Sequence, residues 1–318
     1  MQTRVLLTVD TELAWRHHAA GLPLAQVFER SIEPAGVGLG YQLSVLREHG
    51  LKACFFVDPM PATVFGLDVV KRIVAPILEA GQEVQLHLHP NWVGAEADDG
   101  GRAHARFELI DYSEEAQRAL IVEAAEWLVK AGAPAPIAFR AGSYSANDTT
   151  LRVLAGLGFR YDSSHNGSES PWPSAISLAR TQIAPVTYRG VVELPVTLIE
   201  DREGRLRHCQ ICALSSAEIA AAIDHAIDNG HAILTIVSHS FELATRNGLR
   251  VNSLVRRRFD RLCEQLAANA DRAPTSFFSD LDGLDIHADA RPVPPRLFRT
   301  LGRMGEQLVS NLVYERRL

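Results

Sequence analysis

Short apolar runs alternate with amphipathic helical patterns along nearly the whole chain, and that alternation constrains the fold more than any single residue does. Apolar or β-branched runs at 4–9, 52–57, 83–88, 137–140, 191–196 and 232–237 predict strands, with a weaker one at 158–162. Between and after them, helical spacing predicts helices over 38–49, 67–80, 114–131, 148–157, 215–229 and 254–268. In the last of these, Val255, Phe259, Leu262, Cys263 and Leu266 form one stripe; Leu120, Ala124, Trp127, Leu128 and Ala131 do the same earlier. Ser215 followed by Glu218 reads as a capping box, and Gly132 and Gly230 stand where helices end. Strands that alternate with helices predict a parallel sheet covered by helices. The number of predicted strands favours a closed or nearly closed barrel, whose chemistry gathers at the C-terminal strand ends.

Polar residues fall at those ends. The first run gives out at Thr8-Val9-Asp10-Thr11-Glu12, and the third ends in His87-Leu88-His89. An i, i+2 spacing on extended backbone sends both members of each pair to one face. Two carboxylates at one strand mouth repel unless a cation lies between them or one is protonated. Acid-x-acid beside His-x-His therefore reads as a metal site with a carboxylate to spare for acid–base work. Arg140 follows the fourth strand, Asp162 the fifth and His239 the last. Trp92 and Tyr144, close behind two strand ends, are candidate platforms for a sugar ring. His17, His18, His104 and His231 read as structural or solvated.

Composition excludes several classes. With 318 residues, 47% apolar and 22% charged, the chain is long enough for one large domain. A net charge of −6 argues against a nucleic-acid partner. Cys209 and Cys212 form a lone C-x-x-C and the other two cysteines are distant, which suits inert thiols in a reducing compartment. No secretory signal or membrane span is legible, so a cytoplasmic location is expected. The main domain is expected over 1–287. A basic amphipathic tail over 288–318 sets Leu297, Phe298, Leu301, Leu308 and Leu312 against Arg299, Arg303, Arg316 and Arg317. It is expected to pack on the barrel, with peripheral contact to the inner face of a membrane as the alternative.

The ordered set T-x-D-x-E, G-x-E-x-x-x-H-x-H, F-R-A-G-S-Y, G-F-x-Y-D-S-S, E-L-P-V-T and I-V-S-H-S-F resembles the NodB-type polysaccharide deacetylases, carbohydrate esterase family four, and within them the WalW-like branch. The resemblance runs from about Val5 to Gly283. It implies a distorted (β/α)7 barrel that holds one divalent metal, zinc first, with cobalt, nickel or manganese as alternatives. It implies removal of an acyl group from an N-acylated sugar, in surface-polysaccharide or lipopolysaccharide assembly. By the same resemblance Asp10 is the catalytic base, Glu12 and His87 are metal ligands, Arg140 pairs with the base, and His239 is the general acid. Asp162 matches the carboxylate that orients His239. The family spaces its two ligand histidines at i, i+4, which falls here on Asn91; the second histidine is instead His89, at i+2. Either His89 or Asn91 completes the ligand set, and an Asn oxygen would favour a harder ion. Two other activities stay open: an amide or formamide hydrolase acting on a small molecule, and a glycan-binding protein without turnover.

Overall fold

The computed structural model describes residues 2–97, 106–286 and 289–315. His104, Arg316, Arg317 and the expected domain boundary at 287/288 lie outside the described residues. The strands are β1 (Arg4–Thr11), β2 (Cys54–Val57), β3 (Glu83–Leu88), β4 (Ala138–Ala141), β5 (Tyr161–Asp162), β6 (Val186–Tyr188), β7 (Val191–Glu193), β8 (Leu198–Arg202), β9 (Arg205–His208) and β10 (Ile233–His239). Eight form one sheet in the order β10-β1-β2-β3-β4-β5-β7-β6, and β8 pairs with β9 in a separate hairpin. Every neighbouring pair in the large sheet is parallel except β6 with β7.

The parallel strands are the seven that the apolar runs predict. The runs did not reveal β6, β8 or β9. The first is half-exposed and three residues long, and β9 is rich in arginine, so neither carries the apolar signal of a buried strand. The predicted strand at 191–196 stops at Glu193, ahead of Pro195. The two edge strands do not pair with one another. Extended backbone covers the free edge of β10 instead: the Thr197 amide donates to the Thr235 carbonyl (3.3 Å), and the Ile211 amide to the Val237 carbonyl (3.1 Å).

The helices are α1 (Trp15–Ala19), α2 (Leu24–Ile32), α3 (Leu39–Glu48), α4 (Ala62–Phe65), α5 (Asp68–Glu79), α6 (Glu114–Lys130), α7 (Asp148–Gly156), α8 (Ser216–Asp228), α9 (Ser253–Ala268) and α10 (Leu297–Ser310). The Ser215–Glu218 capping box opens α8. The long connection after β1 is not loop: α1 and α2 fill it, and His17 and His18 are buried there.

Alternation along the strands divides the core. Val5, Leu7 and Val9 of β1 join Phe55, Val57 and Leu86 in the large cluster between sheet and helices. Leu6, Cys54, Phe56, Ala138 and Ile233 form a smaller cluster inside the barrel with Phe278 and Tyr161. The inward positions then turn polar toward the C-terminal strand ends, by the two-residue period of a strand. On β1 they read Leu6, Thr8, Asp10; on β3 and just past it Gln85, His87, His89; on β4 Ala138, Arg140; on β10 Ile233, Thr235, Val237, His239. An apolar plug at one end thus supports a polar cup at the other.

The tail packs on the body, as expected, but through its polar side. Arg303 is buried and reaches Glu218 (Nε–Oε1 3.1 Å) and Asp201 (Nη2–Oδ2 3.2 Å). No helix among the described residues is long and apolar enough to cross a membrane.

Candidate metal centre and proton-transfer site

Pairing register assembles the site. Asp10 of β1 lies beside His239 of β10, and His87 of β3 beside Arg140 of β4. Just past their strands, Glu12 and His89 continue the inward face. One ligand atom each from Glu12, His87 and His89 lies within 4.8 Å of the other two. His87 Nε2 is 3.4 Å, and His89 Nε2 2.5 Å, from the same atom, Glu12 Oε2. That oxygen is buried and has no partner in acceptable hydrogen-bond geometry among the described residues.

The tautomer of His87 follows from its other nitrogen. Nδ1 lies 2.8 Å from the Arg140 carbonyl oxygen, which can only accept. Nδ1 therefore carries a proton, and Nε2 is the nitrogen left facing Glu12. A carbonyl that fixes a ligand histidine in this way is the usual support behind a metal-bound imidazole. Two imidazole nitrogens and one carboxylate oxygen converge here, a donor set that fits a divalent cation with zinc-like preferences.

Charge is arranged accordingly. Burial would raise the carboxyl of Glu12, but His89 and His87 outweigh it and hold Glu12 well below the usual range. Burial would lower His89, yet Glu12, then Asp58 and Asp10, push it up to about 9. A cation entering here displaces that proton. Asp58, just past β2, is fully buried and raised to about 6 by burial, against the pull of His89 and His87. Its Oδ1 accepts from the Met60 amide (3.0 Å) and its Oδ2 has no partner among the described residues. The sequence reading missed Asp58, although it follows the run Phe55-Phe56-Val57 just as Asp10 follows the first run.

Asp10 is held by Arg140, whose Nη1 donates to Oδ1 at 2.7 Å. Arg140 has no exposed surface. It also donates to Thr8 Oγ1 (2.8 Å), Ser163 Oγ (3.0 Å) and the Ser163 carbonyl (3.1 Å), and it lies over the Phe56 ring. Burial would raise Asp10; Arg140, with His87 and His239, reverses this and keeps it below the ordinary carboxylate value. Asp10 is therefore an anion with one oxygen clamped. The other, Oδ2, faces His239 Nε2 at 3.8 Å.

The partners of His239 differ from expectation. Asp162 was expected to orient it. Instead Asp162 accepts from the amide and hydroxyl of Ser164 (3.0 and 2.8 Å) and sits against Glu193 of the neighbouring strand. Burial raises both carboxyls, Glu193 well above its ordinary value with Asp162 adding to it, and Glu193 Oε1 accepts from the His165 amide in the loop after β5 (2.9 Å). The groups that face His239 Nδ1 are Gln210 Nε2 (3.2 Å) and Glu242 Oε1 (3.9 Å). Gln210 Nε2 also donates to Glu242 (2.6 Å), and Gln210 Oε1 lies 2.6 Å from His208 Nε2. A carboxylate only accepts, so the amide nitrogen must face Glu242, and neutral His239 then carries its proton on Nε2, toward Asp10. When His239 is doubly protonated, Glu242 is the acceptor in place for Nδ1–H. Glu242 carried a helical i, i+3 spacing from His239 as its signal; Gln210, on a separate segment, carried none.

Asn91 lies in the turn Pro90–Trp92, buried, with Oδ1 lacking a partner among the described residues. His89 lies in the cluster with Glu12 and His87. Trp92 is only 1% exposed and packs among Trp15, His18 and Phe65, so it is core and not a sugar platform. Tyr144 is near the site: its protonated hydroxyl is buried without a partner among the described residues, its acidity suppressed by burial and then by Asp10. Ser143 (φ 54°) and Tyr144 (φ 58°) are both left-handed, a costly conformation for side-chain-bearing residues that is typical of functional turns. Gly142 precedes them because a Cβ there would strike the His89 ring.

No protein-family profile matches the chain, and no curated protein does. Solved structures do. A candidate polysaccharide deacetylase from Mycobacterium smegmatis superposes with a TM-score of 0.59 at 18% identity, over 92% of this chain and 94% of its own. A 4-alpha-glucanotransferase from Thermococcus litoralis gives 0.54 at 10% identity, over 93% of this chain and 42% of its own. A family 4 carbohydrate esterase from Streptomyces lividans gives 0.44 at 16% identity, over 92% of this chain and 98% of its own. At these identities the likeness is one of architecture: the chain has the distorted (β/α)7 barrel fold of the polysaccharide deacetylase type.

Proposed function

We propose that this protein is a metal-dependent hydrolase that removes an N-acyl group, acetyl first, from an amino sugar, in the assembly of a surface polysaccharide or lipopolysaccharide. One observation carries the reading: the convergence of Glu12 Oε2, His87 Nε2 and His89 Nε2, next to a clamped Asp10 anion and an imidazole. Amide hydrolysis needs an attacking water, support for the tetrahedral oxyanion and a proton for the departing amine. A divalent cation on the three donors, zinc by their chemistry, would polarise the acyl carbonyl and acidify a water. Asp10, kept ionised by Arg140, takes the water's proton on Oδ2, since Oδ1 is engaged. His239 gives a proton from Nε2 to the leaving nitrogen, and Glu242 supports the charged imidazole from behind. The Tyr144 hydroxyl, buried and without a partner among the described residues, is a candidate donor to a substrate oxygen.

Acetate release from N-acetylated amino sugars, with zinc or cobalt added, tests the reading. Asp10→Asn keeps all three donors, so it should bind metal as before and lose ~10²–10⁴ in kcat. Full activity in that variant would overturn the role of Asp10. A purified protein that takes up no divalent ion would overturn the whole scheme.

A further inference from the structure

Most amphipathic helices bury their apolar side, but α10 does the reverse. Leu297 (69%), Phe298 (88%), Leu301, Met304, Leu308 (61%) and Val309 are exposed, and Leu312 and Val313 continue the stripe in the turn that follows. Their spacing of i, i+4, i+7, i+11 is that of one helical face. The opposite side is locked to the body. Besides the Arg303 bridges, Thr300 Oγ1 donates to the Asp201 carbonyl (2.9 Å), Arg258 Nη2 pairs with Glu306 (2.7 Å), and Asn252 Nδ2 donates to Ser310 Oγ (3.2 Å). Turning the helix over would strand the buried carboxylate of Glu218 without its arginine and take Arg303 away from Asp201, which Arg207 also holds. The outward apolar face is therefore imposed by the docking.

We infer that this face is a docking surface for an anionic lipid bilayer. Charge selects the occupant. The chain is acidic overall, at −6, yet the rim of this face is basic: exposed Arg296 stands at its start, and exposed Arg250 reaches the Val313 and Tyr314 carbonyls at its end. Leu249, 58% exposed, adjoins Arg250. From 296 to 314 the one acidic residue is Glu306, and it is engaged by Arg258. An apolar ridge between arginines matches acyl chains beneath anionic headgroups. A second copy fits worse. An isologous antiparallel pairing of two such helices would set the arginine at one end against the arginine at the other.

Co-sedimentation of the full chain with vesicles tests this. The protein should pellet with vesicles of equal phosphatidylglycerol and phosphatidylcholine, and at least tenfold less with phosphatidylcholine alone or in high salt. Leu301→Asp with Leu308→Asp should abolish pelleting, as should Arg250→Glu with Arg296→Glu. All four side chains lie outside the core, and unchanged circular dichroism will confirm that the variants fold. No binding to anionic vesicles, or binding that the aspartates leave intact, overturns the inference. So does a stable dimer in light scattering that Leu308→Asp converts to monomer, since the face would then belong to a second copy.

Discussion

His89 owes its place to a residue with no side chain at all. The turn after β4 brings Gly142 against the imidazole, so closely that a methyl group would run into the ring. Gly142→Ala should therefore push His89 away from Glu12 while leaving Asp10, Arg140 and His239 in place. The expected result is a ~10–100-fold loss of zinc affinity, the range for residues that position a ligand. Competition against a chromogenic chelator measures it, with circular dichroism to show that the fold persists. Zinc bound at full affinity by that variant would remove His89 from the ligand set. The alanine in this case acts through geometry and not through backbone freedom, because Gly142 itself is not left-handed.

At the scale of elements, legibility followed burial. The parallel strands and the larger helices announced themselves, because each presents an apolar face with a regular period. The inward i, i+2 positions named Asp10, Glu12, His87 and His89 for the same reason. What stayed hidden depends on segments that meet only in the fold. Gln210 reaches His239 because the backbone around Cys209 and Ile211 pairs with Val237 of β10, and nothing in its own sequence marks it as a strand. Asp162 was misread because it does end a strand. Its neighbour Glu193, paired in register, took its carboxylate before His239 could. This arrangement makes a prediction about the turn after β10. Glu242 sits three residues past His239 and offers the carboxylate facing Nδ1. Glu242→Gln removes the carboxylate that faces Nδ1, so kcat should fall about tenfold, the worth of a charge-assisted hydrogen bond. Metal content and KM should not move. Unchanged kcat would leave Glu242 without a part in the proton transfer.

At the scale of the whole molecule, two buried histidines tie stability to acid. His17 in α1 is buried, with Nε2 lacking a partner, and burial, with Arg16 and Arg30 adding to it, lowers it to about 4. His231, ahead of β10, is buried too, and burial with His225 lowers it to about 4. Both are neutral when folded, whereas in the unfolded chain they titrate near 6.5. As pH falls from about 6.5 toward 4, the unfolded state takes up protons that the folded state refuses, and stability declines. Each histidine contributes a slope of up to ~1.4 kcal/mol per pH unit. Asp58 works against this. Its folded value is raised to about 6, so the folded state gains a proton first and is favoured by the same acidification. The informative quantity is therefore a difference. Urea midpoints for wild type and His231→Gln, each with chelator present to keep metal binding out of the balance, should diverge between about pH 7 and pH 5. The variant should lose less stability on acidification. Parallel curves would mean that His231 accepts its proton equally well folded and unfolded, and that its burial carries no pH-dependent cost.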